Sequence, residues 1–60
     1  MSAQIPNDPA ILLSYINTQL RNHYPSLTEL CASMNLDEAA ICRKLDMIGY
    51  VYSKSRNQFL

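Results

Sequence analysis

Tryptophan is missing from this chain, and glycine and histidine occur once each, as Gly49 and His23. One glycine cannot build the backbone cradle that a phosphate-binding loop requires, so nucleotide binding is not expected. With His23 alone, neither a Ser-His-Asp triad nor a metal-histidine mechanism has partners to assemble, and no catalysis is expected. Cysteine is equally sparse. Cys31 and Cys42 stand eleven residues apart without a CxxC or HxxxH companion, which excludes the usual zinc spacings and is too little for a secreted disulfide scaffold. Long apolar runs are absent too: the longest, "AILL", stops at Ser14, far short of the roughly 20 residues of a membrane span. No charged and apolar leader precedes the first proline. These absences predict a soluble, cytoplasmic protein with reduced thiols and no metal or other cofactor.

Charge of one sign is also lacking. Five basic and five acidic side chains cancel to a net charge of zero, so the molecule as a whole does not attract nucleic acid, and any DNA contact would need a local patch. A chain of 60 residues buries only about 60% of the surface it exposes when unfolded. With disulfide and metal set aside, self-association is the remaining source of extra burial.

The chain itself carries clear punctuation. Residues 1 to 7 read as a short arm anchored by Ile5 and Pro6, and residues 8 to 60 as one domain. Asp8 is suited to cap a first helix with Pro9 at its first position, where the missing N–H costs nothing. At 100° per residue Leu12, Ile16 and Leu20 make the centre of its apolar stripe. Ile11 and Tyr15 widen one edge and Leu13 and Tyr24 the other, which is broader than one small core needs. Ser14, Asn17, Thr18 and Arg21 fall on the solvent side. Pro25 ends this helix, and "SLTE" at Ser26 to Glu29 is a capping box for a second. That helix turns Leu27, Leu30, Cys31 and Met34 inward, and Asn35 suits a left-handed stop. A third helix is capped by Asp37, with Leu36 and Ile41 placed as a hydrophobic staple, an inward row of Ile41, Leu45 and Ile48, and Gly49 at its exit.

Two β-prone runs around the polar "SKSRN" follow and predict a small hairpin, with Asn57 able to take a left-handed position. The expected fold is therefore mainly α with a small β-hairpin: a three-helix helix-turn-helix of the miniature winged-helix type. Its expected core is Leu12, Ile16, Leu20, Leu27, Leu30, Leu36, Ile41, Leu45 and Ile48, closed by Phe59.

The outward face of the third helix decides between two functions. Ala39, Ala40, Arg43, Asp46 and Met47 lie on it, and Asp37 and Glu38 open it. The acids complement the helix dipole but would repel phosphates, and Arg43 is the one strong base-reading candidate. Two alanines and a methionine around an Arg/Asp pair suit a protein surface better. The leading expectation is thus a non-enzymatic protein-interaction or homodimerisation module using Ile11, Tyr15, Ala39, Ala40, Arg43 and Met47, with itself or another protein as partner. The alternative is a DNA-binding regulator using Arg43 with Lys54 and Arg56 at the hairpin tip, although two exposed charges on a turn are commonly just solvated. The tyrosines are expected at the core edge with wet hydroxyls. Cys42, beside Arg43 and Lys44, is the thiol with any case for redox character, against a packed, inert one.

Taken in order, "NDPAILLSYINTQLR", "SLTELC", "KLDMIGYVY" and "RNQF" make the chain resemble domain-of-unknown-function family 4250, over Pro6 to Phe59. The resemblance implies a bacterial, single-domain, cytoplasmic protein and carries no activity to any position.

Overall fold

Asp8, Ser26 and Asp37 open helices as their side chains dictate in the computed structural model of the protein, which describes residues 6–60. Each sits in extended backbone and accepts a hydrogen bond from an otherwise unpaired amide of the first turn: Ala10 N–H to Asp8 at 2.9 Å, Glu29 N–H to Ser26 at 3.2 Å, Ala39 N–H to Asp37 at 3.0 Å. The helices so started are α1 (Pro9–Asn22), α2 (Leu27–Met34) and α3 (Glu38–Asp46). Ile5, expected to anchor the arm, lies outside the described residues.

The stops are equally local. Asn35 takes the left-handed conformation (φ 56°) after α2, and the Leu36 N–H returns to the Cys31 carbonyl at 2.8 Å. Gly49 (φ 83°) does the same after α3. There the Tyr50 N–H reaches the Leu45 carbonyl at 3.0 Å and the Gly49 N–H the Asp46 carbonyl at 2.9 Å, the paired bonds of a Schellman motif. No atom would crowd a Cβ at Gly49, so its positive φ alone makes glycine the suitable residue.

A two-stranded antiparallel hairpin of β1 (Tyr52–Ser53) and β2 (Gln58–Phe59) follows, with Tyr52 opposite Phe59 and Ser53 opposite Gln58. The register, open from sequence, puts Tyr52 and Phe59 on the core side, their rings 5.5 Å apart, and leaves Val51 outside. The protein is thus mainly helical with a small antiparallel hairpin, among the described residues.

The core consists of Leu12, Ile16 and Leu20 from α1, Leu27, Leu30 and Cys31 from α2, Ile41 and Leu45 from α3, and Phe59 from β2. Two expectations are corrected. Ile48 is 38% exposed: α3 ends at Asp46, two residues short of the third inward position, and Ile48 lies in the turn that Gly49 completes. Leu36 packs on the core only partly, as it lies in the turn between α2 and α3. The broad stripe on α1 is mostly consumed internally: Leu13, Tyr15 and Tyr24 pack against the core, and Ile11 alone of the widening residues is exposed.

Candidate functional site

Asn17 was expected on the solvent side of α1 and is instead half-buried against the hairpin. Its amide copies a strand. The Phe59 N–H donates to Asn17 Oδ1 at 2.8 Å, and Asn17 Nδ2 donates to the Phe59 carbonyl at 3.1 Å, so one side chain satisfies both outward-facing groups of β2. An asparagine on a helix's polar face carries no periodic signal for such a role.

Asn57 performs the matching task from the other side. It occupies the left-handed position (φ 52°), and its Nδ2 donates to the carbonyls of Leu20 (3.2 Å) and Tyr24 (2.9 Å), where α1 ends with unpaired acceptors. Its Oδ1 accepts from the Tyr52 hydroxyl at 2.7 Å, and that hydroxyl accepts from the Leu27 N–H at 3.2 Å at the start of α2. The Tyr52 hydroxyl, expected to be wet, is therefore internal to a network joining hairpin, α1 and α2. The two asparagines fix the hairpin on the helices and so fix the space beside it.

That space is an open groove of about 460 Å³ between α3 and β1. Cys42, Arg43 and Asp46 form one wall, Tyr50, Val51 and Tyr52 the other, with Phe59 alongside. Large apolar side chains on the segments that flank it are exposed: Met47 (75% exposed) and Ile48 after α3, Val51 (63%) in the groove wall itself, and Leu60 after β2; these make up the apolar band. Val51 and Leu60 face each other, exchanging N–H to carbonyl bonds of 3.1 and 2.9 Å.

The residues singled out from sequence distribute unevenly around this groove. Arg43 lines it, and Met47, the C-cap of α3, is exposed one residue after the lining residue Asp46. Ala39 and Ala40 are exposed on the opposite, N-terminal half of α3, Ile11 is exposed on α1, and Tyr15 packs against the core. Lys54 and Arg56 are exposed in the turn between β1 and β2. Sequence reasoning placed Ile48 in the core and left the hairpin register, and with it the side of Val51, open; the turn at Gly49 and the observed register expose both, together with Leu60.

The electrostatics of α3 oppose a reactive thiol. Burial pushes the Cys42 thiol above its usual value, with the Glu38 carboxylate adding to the effect, and Cys31 is raised by burial, then by Glu38, Cys42 and Asp37. The case made for Cys42 from its cationic neighbours is corrected accordingly: burial and a carboxylate outweigh them. Lys44 is half-buried and donates to Asn7 Oδ1 at 3.2 Å, while the Glu38 carboxylate accepts from the Thr28 hydroxyl at 3.3 Å. Among the described residues no three His, Cys, Asp or Glu side chains gather as metal ligands, and no helix is long and apolar enough to cross a membrane.

No curated protein and no solved structure matches the chain. A family model matches residues 6–59, from the residue before Asn7 to the last residue of β2, and the chain belongs to that family, described as a domain of unknown function (DUF4250).

Proposed function

We propose that the protein is a non-enzymatic interaction module of the miniature winged-helix type, working in the cytoplasm through the groove between α3 and β1 and the apolar band beside it. The observation that carries this reading is the band itself. Met47, Ile48, Val51 and Leu60 are exposed on segments whose backbone is tightly bonded, so their exposure is built into the fold. Large apolar side chains held exposed on a small domain favour a contact site, and methionine adapts to a partner's shape. The absence of catalysis is inferred from His23, which is exposed at the end of α1 and packs edge-on against Tyr24 at 6.4 Å between ring centroids.

The test is a photo-crosslinking amino acid at Met47, compared with one at Ser14 on exposed α1, in cells producing the full chain. A discrete adduct from position 47 that is absent from position 14 is expected, whether to itself or to another protein. Equal, diffuse labelling from both positions would refute the reading.

A DNA-binding regulator is the second reading, favoured by the exposure of Arg43, Lys54 and Arg56 on α3 and the hairpin turn. Against it stand the exposed acids at the start of α3 and the engagement of Lys44 with Asn7. Fluorescence anisotropy of a mixed-sequence duplex at about 50 mM and about 200 mM salt separates the two, since phosphate contacts weaken steeply over that range. No binding at the lower salt is the expected result. Micromolar, salt-sensitive binding abolished by the combined Arg43→Ala, Lys54→Ala, Arg56→Ala change would establish the second reading instead.

A further inference from the structure

The two edges of the hairpin are treated differently. Val51 and Leu60 exchange both of their hydrogen bonds, so the next pair, Tyr52 and Phe59, directs its N–H and carbonyl groups outward, away from each other. On the β2 edge Asn17 takes both groups of Phe59. On the β1 edge the Tyr52 N–H and carbonyl have no backbone or side-chain partner among the described residues, and Tyr52 is one of the residues lining the groove. An unpaired strand edge is a template for another strand. Arg43 and Asp46, three residues apart on the facing wall of α3, are exposed, and no side-chain hydrogen bond among the described residues engages either.

We infer that the groove takes a second copy of this chain, β1 against β1 about a twofold axis, with Tyr52 of each copy bonded to Tyr52 of the other and Arg43 of each facing Asp46 of the other. The inference rests on the interaction reading above and names its partner. A single residue offering both N–H and carbonyl at an antiparallel edge is complementary to itself: one twofold rotation satisfies both groups on both copies. The same rotation turns a wall bearing one positive and one negative group into its own electrostatic complement, whereas a partner carrying one sign of charge would match Arg43 or Asp46 and oppose the other. A net charge of zero leaves no long-range repulsion between copies. A standard interface buries about 800 Å² per partner. That is roughly a fifth of the chain's 4214 Å² surface, and the exposed Val51 beside Tyr52, with Leu60 paired to it, supplies apolar area there.

Sedimentation velocity on the full chain, from about 5 to about 500 µM, tests this with Arg43→Asp, Asp46→Arg and the double exchange. The wild type is expected to dimerise, each single reversal to weaken association about tenfold or more by placing like charges together twice, and the double exchange to restore it. Asp46→Arg places a cation at the C-terminal end of α3, which favours the folded monomer, so its loss of dimer would not reflect unfolding. Amide exchange at Tyr52 should slow as concentration rises. A wild type that stays monomeric at the highest concentration overturns the second copy as occupant, while the crosslink from position 47 decides the interaction reading separately. A dimer indifferent to both reversals, or one that leaves Tyr52 exchange unchanged, overturns the proposed geometry.

Discussion

Replacing Asn57 separates the two roles that this residue plays. Asn57→Gly keeps the left-handed backbone (φ 52°) but removes the side-chain bonds to Tyr52, Leu20 and Tyr24, of 2.7, 3.2 and 2.9 Å. Each such bond contributes about 0.5–1.5 kcal/mol net, and the partly buried site lets water recover some of the loss, giving about 2–3 kcal/mol in total. The added freedom of glycine in the unfolded chain costs about 0.4–1 kcal/mol more. Asn57→Ala loses the same bonds and places a Cβ where φ is positive, at about 1–2 kcal/mol. Glycine should therefore cost about 3 kcal/mol and alanine about 4. A domain of this size has roughly 3–9 kcal/mol to lose, at about 0.05–0.15 kcal/mol per residue.

Urea unfolding followed by circular dichroism measures this directly. With a slope of about 1 kcal/mol per molar urea, the glycine variant should unfold some 3 M earlier than the wild type and the alanine variant about 1 M earlier still. Asn57→Asp supplies a check by pH. The carboxylate keeps the acceptor for Tyr52 but turns an oxygen toward the Leu20 and Tyr24 carbonyls, which favours its protonated form and raises its folded pKa above the ordinary value of about 3.9. Stability is then fully present below about pH 3.9 and lost as pH rises through the higher folded value, the reverse of a salt-bridged aspartate. A glycine variant within about 0.5 M of the wild-type midpoint, or an aspartate variant indifferent to pH, would refute the argument that Asn57 clamps the hairpin to α1.

Asn17→Ala should cost about 1–3 kcal/mol through its two bonds to Phe59 and speed exchange of the Phe59 amide; a protected Phe59 amide in this variant would remove Asn17 from the account. Leu45→Ala, at a fully buried position, should cost about 2–5 kcal/mol, while Ile48→Ala at a 38% exposed one should cost about 1 kcal/mol or less. Equal losses at the two positions would contradict the exit of the chain at Gly49. The raised thiols make stability fall at alkaline pH: a thiol held neutral by burial contributes stability present below its ordinary value of 9.0, lost as pH rises through the higher folded value. Cys42→Ser, Cys31→Ala together should flatten that decline in a series of urea melts between pH 8 and 11.

The parts of the fold legible in the sequence are those decided within a few residues. Asp8, Ser26 and Asp37 each need only their own side-chain oxygen and an amide two or three positions on, and Asn35, Gly49 and Asn57 need only tolerance of a positive φ. The core stripe Leu12, Ile16 and Leu20 follows from a period of 3.6. What resisted reading involves partners far along the chain. Asn17 lies 42 residues from Phe59, and Asn57 lies 37 from Leu20 and 33 from Tyr24. A polar residue on a helix's outer face looks the same whether it meets water or the edge of a strand.

The candidate site shares this divided legibility, and for a connected reason. Arg43 and Met47 could be placed by helical phase, but the groove exists only because Asn17 seals one edge of the hairpin and Asn57 holds the turn against α1, leaving β1 as the edge that faces α3. The hidden asparagines and the exposed Val51 and Leu60 are two sides of one arrangement. The Asn17 side-chain amide does on the β2 edge what a third strand would do, and the pairing demand that remains falls on Tyr52. A small domain can thus keep its core sealed with nine buried side chains among the described residues and still leave a strand edge and apolar side chains exposed at the hairpin.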